Sequence, residues 1–143
     1  MINTGDVFYS GEYELPTGYV HDTWFVIVCG GTPFENCLCL MGTSKVEKYI
    51  TRVNGCNHVT NARSSFYIPT KWQSCFELDT CLIIPQIIDI SLLKLLTLRE
   101  ERKFTSKGKL SDDCFRKLIY CLLAFEDDIA KDHYRRLKKH IDL

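Results

Sequence analysis

Short apolar runs bounded by turn residues dominate the first two thirds of the chain, and such runs are typical of β-strands. Between the first two runs lies a loop at 10–18 that is longer than a tight hairpin needs, and such loops are often functional. Pro85 cannot donate to a central ladder, so it is expected to end the last strand. The predicted strands are 6–9, 23–29, 36–42, 65–68 and 76–84.

The last third changes to a helical period. Ser91 is a suitable N-cap for a short helix or turn at 92–96, and 105–109 is predicted to be a polar connector. Ser111 is expected to cap a longer helix whose first turn carries two acidic residues, which the helix dipole favours. Apolar residues then recur at steps of three and four, on one face that packs on the core or in a partner's groove. That face consists of Phe115, Leu118, Leu122, Phe125 and Ile129.

Together these patterns predict an α+β protein with one domain spanning 1–143. A chain of 143 residues with 45% hydrophobic residues has enough apolar material for one core. The strands at about 5–90 are expected to form a small barrel, and about 91–143 to form a helical part.

Charge is balanced overall but divided along the chain. Residues 1–93 carry five Lys and Arg against nine Asp and Glu, whereas residues 94–143 carry thirteen against nine. This division suits two parts that face different neighbours, or the same neighbour in a dimer, although charge alone favours two solvated faces.

No apolar run approaches the roughly 18 residues that a membrane-spanning helix needs. Acidic residues come early, and no basic stretch followed by an apolar one is found at the start, so no secretory signal is recognised. We therefore expect a cytoplasmic protein that does not contact a membrane.

Eight cysteines raise two alternatives. Most lie inside apolar runs, where a reduced cysteine serves as a small buried hydrophobe, and this interpretation is favoured over a disulfide framework. The sharper alternative is a zinc site at Cys56, His58, Cys75 and Cys81, but the spacing matches none of the usual zinc patterns. We therefore predict no metal site and no cofactor.

The segment 131–140 is basic with interleaved aromatic residues. It is expected either to contact a phosphate backbone or to form the solvated end of a helix, whose negative dipole favours Lys and Arg. His58, His133 and His140 are expected to be solvated.

Five segments occur in an order that resembles a known family. They are GDVF at 5–8, FVIV at 25–28, Thr-Ser at 43–44, LIIPQI at 82–87 and GKLSDD at 108–113. In this order they are similar to the PemK/MazF family of toxin ribonucleases, over about residues 5–125. No single segment is specific; the resemblance depends on the order of five short matches.

The resemblance implies an SH3-like barrel of about five strands with attached helices, a homodimer, and metal-free cleavage of single-stranded RNA. It also implies a cognate antitoxin that inhibits the enzyme. In the family a basic residue before the second strand and a Thr or Ser at the end of the third form the catalytic pair. Thr43 and Ser44 match the hydroxyl position, whereas the usual Arg-Pro is absent and His21 stands in that stretch.

These residues have suitable chemistry for RNA cleavage through the 2′-hydroxyl. His21 is a candidate base or acid, because the unperturbed pKa of histidine, about 6.5, lies near working pH. Thr43 and Ser44 are candidate hydrogen-bond donors to the phosphate. For substrate binding, Lys45 and Trp24 are candidates, and Asp22 either orients His21 or repels the phosphate.

A second interpretation follows from the missing Arg and the acidic first part. The chain is then a catalytically silent barrel of the same family that binds a protein or a nucleic acid. Arrest of cell growth on induction, relieved by His21→Ala, separates the two interpretations.

Overall fold

The computed structural model describes residues 2–14, 20–48, 54–57 and 64–140, with the backbone alone at 12–14, 20–22, 48 and 85. These residues form an α+β fold in which seven strands make one antiparallel sheet. The strands are β1 (Asp6–Glu14), β2 (Val20–Cys29), β3 (Cys37–Thr43), β4 (Gly55–Asn57), β5 (Ser65–Ile68), β6 (Thr80–Ile90) and β7 (Thr105–Lys109). The helices are α1 (Leu92–Glu100), α2 (Asp112–Ala124) and α3 (Lys131–Lys138), with short 3-10 turns at Val46–Lys48 and Glu126–Asp128.

The sheet runs in the order β4-β5-β6-β3-β2-β1-β7. The expectation of about five strands followed by a purely helical part was therefore wrong, because β7 lies between α1 and α2 in sequence and pairs with β1. Within the described ranges the edge strands β4 and β7 do not pair with each other, so closure into a barrel is not observed.

Alternation along the central strands directs side chains to two hydrophobic clusters, one on each face of the sheet. Val26 and Val28 of β2 pack with the buried residues of α2 and α3. Phe25 and Ile27 belong to the other cluster, which includes Leu95 of α1. Both faces are thus covered, which explains why β2 is apolar at consecutive positions.

Helix boundaries follow the predicted caps. The side chain of Ser91 accepts a hydrogen bond from the Lys94 N–H, at 3.1 Å, and α1 begins at the next residue. The side chain of Ser111 likewise accepts from the Cys114 N–H, at 3.2 Å. The apolar face of α2 is confirmed as core, since Leu118 and Leu122 are fully buried.

Pro85 does not end its strand, contrary to the sequence prediction. Leu40 pairs with Ile87 and Gly42 pairs with Leu82, so the register of β6 against β3 shifts between them. Pro85 lies within this irregularity, where the ladder does not require its missing N–H. The strand therefore continues to Ile90.

The cysteines are partly as expected. Six are free and buried, in agreement with their interpretation as small hydrophobes. Cys56 of β4, however, forms a disulfide with Cys121 of α2, which corrects the expectation that all thiols are reduced. This bond links an edge strand of the sheet to the helix that covers it.

The basic segment at 131–140 is less solvated than predicted. Arg136 and Leu137 are buried, and His140 Nε2 donates to the Val28 carbonyl at 2.7 Å. His133 lies 3.1 Å from an Asp89 carboxylate oxygen. The expectation of solvated histidines was therefore wrong for these two, because α3 packs against the end of β2; His58 lies outside the described residues. No helix in the described ranges is long and apolar enough to cross a membrane.

Candidate functional site

The residues proposed from sequence lie where β2 begins and β3 ends. The two strands pair in one register from Ile27 opposite Cys39 to Trp24 opposite Gly42. Continuing that register brings Thr23 level with Thr43 and Asp22 level with Ser44, and it places the backbone of His21 just beyond the end of β3. The backbone of the candidate catalytic residues is therefore gathered at one end of two adjacent central strands, whereas the side chains of His21 and Asp22 lie outside the description.

Thr43 is part of a local turn. Its Oγ1 accepts a hydrogen bond from the backbone N–H of Lys45, at 3.1 Å. Serine and threonine commonly make such turns, and this was the structural explanation for hydroxyls at a strand end. A hydroxyl that accepts one bond retains its own hydrogen, so Thr43 is still able to donate to a phosphate oxygen.

Ser44 and Lys45 complete the turn after β3. Ser44 is half-buried and Lys45 is exposed. A hydroxyl and an ammonium group on consecutive residues at a solvent boundary suit an anion that approaches from outside.

Trp24 is placed differently from the sequence interpretation. Only 8% of its surface is exposed, and its ring lies 4.9 Å from the ring of Tyr9 and 5.0 Å from that of Phe76. Aromatic rings at these distances pack favourably with one another. Trp24 is thus a core residue, with little surface left for a substrate.

Lys107 is a cation that the sequence analysis assigned to a polar connector. It lies on β7, which is exposed throughout, and its Nζ is 6.0 Å from the centre of the half-buried Tyr9 ring. Tyr9 pairs with Trp24, and thus lies near the same end of β2 as the turn after β3. β7 lacks apolar residues and pairs only through its backbone, so no hydrophobic pattern in the sequence predicted that Lys107 lies on a strand of this sheet.

The zinc alternative is contradicted at Cys56, whose sulfur is bonded to Cys121. Among the residues with described placement, no group of three His, Cys, Asp or Glu is arranged to hold a metal ion. Cys75 and Cys81 are buried, and burial raises the pKa of the Cys81 thiol to about 11. With Cys56 in a disulfide, the proposed set of four ligands is incomplete.

The sequence matches no known protein-family model and no curated protein at a significant level.

Proposed function

We propose that this protein is a toxin-type endoribonuclease that cleaves single-stranded RNA without a metal. The proposed site lies at the end of the sheet where β2 begins and β3 ends. The observation that carries the proposal is the shared register of the two strands. It supports a site in which the backbone of His21 lies diagonally across from that of Thr43, about 7–8 Å away, with Ser44 next in the chain.

Each residue has a role that its position supports. His21 exchanges protons with the 2′-hydroxyl or the leaving oxygen, and Thr43 and Ser44 donate to the charged phosphate. Lys45 follows β3 and Lys107 lies on β7, which is three strands away in the sheet, and both add positive charge around the proposed site. Two separated cations suit a strand of RNA better than a single phosphate.

Cleavage of a labelled single-stranded RNA in the presence of EDTA tests the proposal. We expect activity to persist with the chelator, and His21→Ala to lower the rate by about 100-fold or more, as loss of a general acid or base does. His133→Ala is the matched control, because His133 pairs with Asp89 and lies outside the proposed site. Loss of activity in EDTA would rule out the metal-free mechanism, and equal rates for the two variants would rule out His21.

The family resemblance further suggests a cytoplasmic homodimer inhibited by a cognate antitoxin. An antitoxin segment that occupies the RNA site would carry acidic residues opposite Lys45 and Lys107, both of which are exposed. Its binding should therefore weaken with salt and compete with RNA. An antitoxin that binds without slowing RNA cleavage would contradict this arrangement.

The same resemblance suggests an SH3-like barrel. Support comes from β6, an eleven-residue strand in which residues 80–83 pair with β5 while residues 81–90 follow β3. A long strand shared in this way allows a sheet to bend toward a barrel.

A catalytically silent binding module is the second candidate. It is favoured by the turn that already uses the Thr43 hydroxyl and by the absence of the family's Arg. For such a module we expect RNA to bind without being cut, with equal affinity for wild type and His21→Ala. Cleavage by the wild type would exclude it.

A further inference from the structure

A cleft of about 780 Å³ lies at the opposite end of β2 from the proposed RNA site. Its walls come from the residues before β1, the turn between β2 and β3, helix α1 and the end of α3. Small-molecule sites typically have volumes of about 300–1,000 Å³. The cleft thus has the size of a ligand site.

One wall of the cleft is apolar. Leu92 and Leu96 of α1 are both half-buried, and their spacing of four residues places them on one face of the helix. Ile2, which is buried, extends this surface. A hydrocarbon body gains free energy by covering such a surface.

The opposite wall contains a buried cation. The side chain of Arg136 is only 7% exposed, with Nε 3.3 Å from Glu35 Oε1 and Nη2 donating to the Asn36 carbonyl at 2.6 Å. Arg136 is among the residues that line the cleft.

Two more residues at the end of α3 line the same wall. Lys139 is exposed, and His140 is fixed by its bond to the Val28 carbonyl and by an edge-on contact with the Phe115 ring, with the ring centres 5.4 Å apart. Among the described residues that line the cleft, Glu35 is the one acidic residue, and it is already paired with Arg136. The polar wall thus has a surplus of positive charge.

A Cys-His pair also lies here, but its geometry does not favour nucleophilic catalysis. His140 Nε2 is 3.6 Å from Cys29 Sγ, and the same nitrogen bonds the Val28 carbonyl. A carbonyl only accepts, so Nε2 carries the hydrogen and is unable to take a proton from the thiol. Burial raises the pKa of the Cys29 thiol to about 11, so it stays protonated at neutral pH.

We propose that this cleft binds a small amphipathic anion. The carboxylate or phosphate head contacts Arg136 and Lys139, and the hydrocarbon body lies on Leu92 and Leu96. A guanidinium presents a planar fork that suits either oxyanion. The site is independent of the RNA site, because eight residues of strand, roughly 26 Å, separate Cys29 from His21.

Calorimetric titration with three eight-carbon probes tests the head group. We expect octanoate and octyl phosphate each to bind at least ten-fold more tightly than octanol, since octanol shares the chain and lacks the charge. Whichever anion binds more tightly identifies the head group that the site prefers. Equal affinity for octanol and both anions would overturn the proposal.

A charge variant tests the location without disturbing the core. We expect Lys139→Gln to weaken octanoate binding about five-fold, the effect of one partly solvated charge. Lys138→Gln is the matched control, because Lys138 is exposed on the same turn and does not line the cleft. Equal affinities for the two variants would contradict the assignment, and RNA cleavage is expected to be unchanged in both.

Discussion

The two ends of β2 are built by different means. Where β2 begins, the proposed RNA site relies on strand register and on a local turn at Thr43, with Lys45 exposed. At the Cys29 end, Arg136 and His140 are held by backbone carbonyls of Asn36 and Val28, which lie 100 and 112 residues away in sequence. One strand thus carries a site ordered by local contacts and a cleft ordered by long-range ones.

The difference indicates what each end is suited to do. A strand end that faces solvent and carries cations suits the binding of a long, flexible chain such as RNA. A cleft with a buried guanidinium suits the small anion proposed for it, because a desolvated charge interacts more strongly and has fixed partners. Long-range contacts also make the cleft more sensitive to substitution, which leads to the following predictions.

The largest effect is expected for Gly31→Ala in the turn at the cleft end. An added Cβ would lie 2.9 Å from both the Cys37 nitrogen and the Glu35 carbonyl oxygen, and 2.7 Å from Cys37 Sγ. Backbone atoms are unable to move aside cheaply, so we expect a loss of about 3 kcal/mol in the free energy of unfolding. Urea denaturation measures this loss, and octanoate binding should weaken in parallel.

Gly30→Ala is the control for that variant. A Cβ at Gly30 would meet Thr4 Oγ1 at 3.4 Å, close to an ordinary contact. We expect the stability to change by less than about 0.5 kcal/mol. Similar losses for the two variants would show that the close approach at Gly31 is not what limits the turn.

Arg136→Gln is expected to have the next largest effect. The shorter side chain loses the bond to the Asn36 carbonyl and the contact with Glu35, at a cost of about 2 kcal/mol. Thermal unfolding measures this change. Arg135→Gln is the control, because Arg135 is exposed and pairs with the exposed Asp132; its effect should be within about 0.5 kcal/mol. If Arg136→Gln left the stability unchanged, the guanidinium would not be what holds α3 in place.

Alkaline pH should lower the stability of the folded protein through Cys29, at the cleft end of β2. Burial raises the pKa of this thiol from 9.0 to about 11, so the folded state keeps a proton that the unfolded state loses above about pH 9. The resulting stability is complete below pH 9 and is lost as the pH rises to about 11. We therefore expect the melting temperature of Cys29→Ala to fall less steeply than that of wild type over this range. Parallel curves for the two proteins would contradict the assignment.

Local signals in the sequence predicted much of the fold. Ser91 and Ser111 cap their helices as expected, because a cap depends on residues within one turn. β7 was missed because all five of its residues are exposed, so its pairing with β1 leaves no hydrophobic pattern. The continuation of β6 past Pro85 was missed because it depends on a register shift against a distant strand.

The two sites also differ in how far they could be recognised from the sequence. The turn at Thr43 was recognisable because its hydrogen bond spans two residues. The roles of Arg136 and His140 were not, since a basic helix end looks the same in sequence whether it is solvated or packed against a strand end. Tertiary partners decide whether a cationic side chain is buried. Here these partners are the carbonyl of Asn36, after β2, and the carbonyl of Val28, within β2.

The smallest effect is expected at the RNA end, for Thr43→Val. Valine keeps the β-branched shape but removes the oxygen that accepts from the Lys45 N–H, so the turn should lose about 1 kcal/mol. Thr43→Ser is the matched control, because it retains the hydroxyl and should stay within about 0.5 kcal/mol of wild type. Thermal unfolding and RNA cleavage, measured on the same variants, separate two roles of this oxygen: acceptor in the turn and donor to the phosphate. If the hydroxyl also donates to the phosphate, Thr43→Val lowers the cleavage rate far more than its small stability loss explains, whereas Thr43→Ser does not. Equal rates for all three proteins would restrict Thr43 to the turn, and the two ends of β2 would then differ in function as well as in construction.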